Sequence, residues 1–160
     1  MKQRAFFSYL ITVMLVVFAC SAPKEVVKAT KEEVAQAINT DSWRFSANVA
    51  TSQYGNTRYL TSEYDVKLIT RSLDVHLPYF GRAYNAPVGN QSPLQFKSTQ
   101  FTYNKTSDRE GSWVVTIKPE DYGEVQSMTF TFFESGNAQL SVLLTNRSPI
   151  SFTGFVGAAK

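Results

Sequence analysis

The chain carries one histidine and one cysteine, so chemistry built on an imidazole or a thiolate has one address for each. His76 opens the stretch HLPYFGRAYNAP, residues 76–87. General acid–base work needs a partner within hydrogen-bond reach. The alternation Leu73, Val75, Leu77 turns His76 to the opposite face of its strand, and no partner is visible beside it. The residues after it suit contact better than reaction. Tyr79, Phe80, Arg82 and Tyr84 supply rings and a guanidinium, groups that stack on a sugar, a peptide or a base. Pro78 cannot donate to a ladder and Gly81 permits a bend. The run to Pro93 therefore reads as a long ordered loop, and loops on β scaffolds are common binding elements. The same four side chains have another use: folded back, they cap an open end of the sheet, which is the favoured of the two readings. Glu120, Asp121 and Glu124 in PEDYGE read as a charged turn between strands. The Ser and Thr hydroxyls lack a positioned base, and no phosphate loop, zinc signature or dinucleotide fingerprint is present. The expectation is a protein without catalytic activity, metal or cofactor.

The elements that must hold these residues are strands. From Trp43 onward the apolar period is two: Trp43, Phe45, Ala47, Val49; then Tyr64, Val66, Leu68; then Leu73, Val75, Leu77. Leu94 and Phe96, Phe101 and Tyr103, Trp113 to Ile117, Met128 to Phe132, Ala138 to Leu144, and Ile150 with Phe152 continue it. QYGNT, SDREGS and ESGNA supply turn chemistry between runs. No helix-length segment separates the strands, so parallel crossovers are excluded. The fold class expected is mainly β (α+β): a curved antiparallel sheet of about eight or nine strands, curling toward a partial barrel or two layers, with an N-terminal helix on one side or end. The helix is read from residue 24 or 31 to Ile38, with Thr30 and Glu33 at capping-box spacing and Val27, Val34 and Ile38 on one face. The aromatic content of 14% reads as core filling. A ligand-lined interior is the sharper alternative.

Ahead of the helix, Lys2 and Arg4 precede an apolar run of 15 residues, Ala5 to Ala19. That is short of the ~20 residues a spanning helix needs and within the length of a secretory signal. VFAC, residues 17–20, resembles the lipobox of bacterial lipoproteins, although Phe18 stands where a small residue is usual. The expected organisation is a signal peptide at 1–19, a lipidated Cys20 with a tether to residue 30, one β-rich domain over 31–156, and a tail at 157–160. Acylation would spend the only thiol and fix the domain to a membrane. Without Lys2 and Arg4 the chain has 14 basic residues against 13 acidic ones, which removes the basic footprint a nucleic-acid partner requires.

YLTSEYDVKL, LPYFGRAYNAP, LQFKS, GSWVVTIKP and SVLLTNRSPISFTG together resemble a domain-of-unknown-function family of bacterial envelope lipoproteins typical of Bacteroidetes, over about residues 32–156. LPYFGRAY and NRSPISFTG are the most specific pieces. The resemblance implies a lipid-anchored, β-rich envelope protein and no particular reaction. It also suggests that Arg147 and the 78–84 turn meet in space. The functional expectation is a non-catalytic binding or accessory module, with Tyr79, Phe80, Arg82, Tyr84 and Arg147 as contact residues. An envelope protein, a glycan or a small apolar ligand is the expected partner. A purely structural envelope lipoprotein and a hydrolase of unrecognised motif are the alternatives. With only Glu25 acidic soon after Cys20, the expected location is the outer membrane facing the periplasm, surface exposure remaining open.

Overall fold

The structure, a computed structural model, describes residues 29–82, 84, 93–109 and 111–159. Cys20, the apolar run before it and most of the tether lie outside the described residues. Helix α1 spans Lys31–Asn39. Thr30 caps it: the Glu33 N–H donates to Thr30 Oγ1, and the Thr30 N–H donates to Glu33 Oε2 at 2.9 Å, the capping box read from the spacing. Val34, Ala37 and Ile38 are its buried face.

Nine strands follow among the described residues: β1 Trp43–Ser52, β2 Thr57–Ile69, β3 Ser72–Leu77, β4 Leu94–Ser98, β5 Phe101–Arg109, β6 Ser112–Pro119, β7 Val125–Phe133, β8 Asn137–Leu144 and β9 Ile150–Ala158. They form one antiparallel sheet in the order β4-β3-β2-β1-β9-β8-β7-β6-β5. With nine strands of alternating direction, the two edge strands run the same way. Those edges, β4 and β5, are consecutive in sequence and only Thr99 and Gln100 separate them. They are thus two halves of one kinked strand, pairing with β3 through the first half and with β6 through the second. The sheet therefore curls round on itself into a nearly closed barrel, which leaves little free edge for stray pairing.

The kink is stapled by the β6–β7 turn. Ser98 Oγ donates to Asp121 Oδ1 at 2.5 Å, and the Thr99 and Gln100 N–H groups donate to Asp121 Oδ2 at 3.2 and 3.4 Å. These bonds, Ser98 first, hold the Asp121 carboxyl below its ordinary range. Beside it the Tyr122 and Phe96 rings stack at 4.0 Å.

The interior is filled by side chains. Trp43 meets Phe130 and Phe132 edge-on at 4.9 Å each, and Phe45 meets Phe130 at 5.9 Å. With Phe152 these rings are essentially inaccessible to water, so core filling describes them. One inward assignment is corrected. The register shifts between Ala47 and Val49 against both neighbours, so Val49 is half-buried and Ala50 takes the inward place. Gly154 belongs to this irregularity: a Cβ there would stand 1.9 Å from the Ser46 carbonyl oxygen, so only glycine lets β1 and β9 approach.

The barrel has two distinct ends. Helix α1 lies across one, reaching from Glu134 in the β7–β8 turn, which pairs with Lys31 at 2.6 Å, to Lys105 on β5, whose Nζ donates to the Ile38 carbonyl at 2.8 Å. The β1–β2 turn, the end of β3 and the segment between β8 and β9 lie at the other.

Candidate functional site: an arginine–tyrosine rim

At the end away from α1, β3 stops at Leu77 because Pro78 offers no N–H to continue the ladder. The chain then turns Tyr79 inward, 4% exposed. The Tyr79 hydroxyl stands 3.0 Å from the Arg82 carbonyl, 3.0 Å from the Ser148 carbonyl and 3.2 Å from Ser148 Oγ. It has one proton to donate, to either carbonyl, and lone pairs to accept from Ser148. Ser148 Oγ also accepts from the Arg82 N–H at 3.1 Å, while the Ser148 N–H donates to the Arg82 carbonyl at 2.9 Å. The Tyr84 N–H donates to the Asn146 carbonyl at 2.9 Å, so Arg82 and Tyr84 pair in antiparallel sense with Ser148 and Asn146. Gly81 is required by this closeness, since a Cβ there would stand 2.1 Å from the Tyr79 hydroxyl. Burial first, against the opposing bond to Ser148 and the charge of Arg147, raises the Tyr79 pKa. Arg147 Cζ lies 5.1 Å from the Tyr79 ring centre, and Arg147 Nη2 lies 3.5 Å from Glu124 Oε2.

Outside this buried corner the neighbouring side chains form an exposed rim. Phe80 is half-buried beneath Arg58, whose Cζ sits 4.5 Å from the ring centre. Arg82 Cζ sits 5.1 Å from the Tyr54 ring centre. Two elements thus clasp each other reciprocally: the β1–β2 hairpin gives an arginine to the 78–84 segment's ring and receives one on its own. Tyr84 is 60% exposed, Tyr54 59% and Tyr59 84%. Leu60 to Glu63, next along β2, have no partner residue in β1 or β3.

Residues 26–156 match the family model of a domain of unknown function, DUF4251. The chain belongs to the DUF4251 family. The fold agrees: the crystal structure of a DUF4251 family protein from Bacteroides eggerthii DSM 20697 is similar with a TM-score of 0.63 at 16% identity, over 80% of this chain and 87% of that one. No curated protein matches the chain.

In this DUF4251 chain the five contact residues read from the sequence are gathered at one end but divide into two groups. Tyr79 and Arg147 stand inside, holding the 78–84 turn to the β8–β9 segment. Phe80, Arg82 and Tyr84 stand at the rim. Sequence reasoning missed Tyr54, Arg58 and Tyr59, because QYGNTRY declares only a turn. The signal was present in the pair of tyrosines and the arginine flanking Gly-Asn. It also missed Ser148, hidden within NRSPISFTG. His76 is half-buried and lies against Tyr64 at 5.3 Å.

The α1 end holds a second polar cluster. Asp41 Oδ1 accepts from the Tyr103 hydroxyl and from Lys105 Nζ, each at 2.7 Å. Burial and then Asp41 raise the Tyr103 pKa strongly, with Trp43 opposing. The cleft beside it, lined by Asp41, Leu68, Arg71, Phe101 and Tyr103, has a volume of ≈ 80 Å³. Ligand pockets run about 300–1,000 Å³, so this cleft has room for waters rather than a substrate. Among the described residues no three His, Cys, Asp or Glu side chains are grouped to hold a metal ion. None of their helices is long and apolar enough to cross a membrane.

Proposed function

We propose that this DUF4251 chain is a lipid-anchored envelope protein and a non-catalytic binding module, acylated at Cys20, placed at the outer membrane facing the periplasm, and contacting an envelope partner through the rim. The observation that carries the reading is the reciprocal clasp of Arg58 over Phe80 and Arg82 over Tyr54, with Tyr59 and Tyr84 exposed around it. Tyrosine and arginine are the residues over-represented where interfaces concentrate binding energy. The stacked guanidiniums are already ordered, which lowers the entropy lost on contact. The filled interior supports a surface site over a cavity site.

Orientation supports the same reading. The tether enters α1 at one end, and the rim sits at the other, about 30 Å away along the ten residues of β1. A domain held by Cys20 would then turn its rim away from its own bilayer. The buried pair Tyr79 and Arg147 takes the capping role, which reconciles the two uses of this stretch: the inner residues close the barrel, and the outer ones face a partner.

The test is affinity capture from envelope extract with the acylated full chain, beside Tyr59→Ala/Tyr84→Ala. Both side chains are exposed, so the variant should keep the wild-type circular dichroism spectrum. A partner retained by the wild type and lost by the variant is the expected result. Equal capture by both would rule the rim out as the contact surface, and a Cys20 without acyl mass would rule out the anchor.

A further inference from the structure

Most described cations on this chain already have their counter-ion. Lys31 meets Glu134, Arg44 and Lys67 meet Asp65, Lys97 meets Asp74, Lys105 meets Asp41, and Arg147 meets Glu124. Among the described residues Arg58, Arg71, Arg82 and Lys118 meet no carboxylate, and of these Arg58 and Arg82 belong to the rim, each over an aromatic ring. A guanidinium over a ring keeps its N–H edges free, and those edges match the two oxygens of a carboxylate. The chain's own residues 85–92, NAPVGNQS, carry no acid that could fill the place. Beside Arg58, Leu60 to Glu63 lie out of register with both neighbouring strands. The exposed rings of Tyr54 and Tyr84 stand beside the rim guanidiniums, and tyrosine with arginine is the pairing enriched where proteins contact proteins, which favours a polypeptide over a phosphate or a lipid headgroup.

Resting on the rim reading, we infer that the partner is recognised through an acidic, extended protein segment, its carboxylates held by Arg58 and Arg82 and its backbone lying across the tip of the β1–β2 hairpin beside Tyr54. Two charge-assisted forks fix the spacing of the acids. The tyrosines supply contact area at small entropy loss. Screening by salt should weaken the contact, because both guanidiniums stand at the surface.

The experiment is a titration of the full chain in a neutral detergent with a fluorescent (Thr-Glu)4 peptide, beside the neutral (Thr-Gln)4 peptide, inorganic phosphate and phosphatidylglycerol vesicles. The expected result is saturable binding of the acidic peptide below about 1 mM. Arg58→Lys and Arg82→Lys should each weaken it about tenfold, because charge survives while the planar fork is lost. No binding below that limit, equal binding of (Thr-Gln)4, or indifference to both lysine variants overturns the inference. Phosphate or vesicles displacing the peptide also overturns it, in favour of an anionic phosphate ligand. If the peptide fails while Tyr59→Ala/Tyr84→Ala still abolishes envelope capture, the rim stands and only the acidic segment falls. If capture is also unaffected, the rim reading has failed independently.

Discussion

Tyr79 joins two segments 69 residues apart through one hydroxyl. Removing that oxygen takes a buried partner from the Ser148 carbonyl and hydroxyl, while the Arg82 carbonyl keeps the Ser148 N–H. A buried polar group left without its partner costs about 1–3 kcal/mol. Tyr79→Phe should lower stability by that order in urea denaturation, with far-ultraviolet dichroism unchanged. Gly81→Ala should do more damage, since its methyl would displace the hydroxyl altogether. Both ends of the barrel respond to pH. Tyr79 and Tyr103 both have raised pKa values, with burial the largest cause in each. Between an unfolded tyrosine's pKa of about 10 and the higher folded value, the unfolded chain binds fewer protons, so stability falls as pH rises. Below about pH 10 the full contribution is present. Thermal melts taken across that limit should show alkaline destabilisation, and Tyr103→Phe should flatten it.

At the scale of elements, α1 depends on its two ends. Thr30→Ala loses the capping box and should cost about 1 kcal/mol, measured as a shift of the denaturation midpoint. Lys105 holds the other end through the Ile38 carbonyl. The first of these ends was legible in the sequence, because a capping box is local. The second was not, because Lys105 reaches Ile38 only through the curl of the sheet. The strands show the same divide. Parity read Trp43, Phe45 and Ala47 inward, as found. It then failed at Val49, since a period of two carries no mark of a register shift. The first half of β2, from Thr57 to Glu63, was unreadable for another reason. Six of its seven residues are exposed, so burial imposes no alternation on them. The rim was accordingly half visible: Phe80, Arg82 and Tyr84 stood in a dense aromatic stretch, whereas Tyr54, Arg58 and Tyr59 lay in a segment that showed only its turn.

For the whole molecule, the decisive feature is that one kinked strand closes the sheet, and Asp121 holds the kink. Its lowered pKa means the charged form is the one bonded in the folded state. The stabilisation is therefore present above an unfolded aspartate's range and fades as pH falls through the lower folded value. Asp121→Asn should reduce stability at neutral pH and reduce its acid dependence, as read by melts from neutral to acidic buffer. With α1 across one end and Tyr79 packed into the other, the rim is the contact surface proposed for this DUF4251 protein. Photo-crosslinking in living cells tests that most directly, with a photoreactive amino acid placed at Tyr59 and, as a control, at Thr129 on the β7 wall. A rim that meets a partner predicts a discrete adduct from position 59 that disappears with Arg82→Ala, and none from position 129. An absent adduct at 59, or the same adducts from both positions, would contradict it.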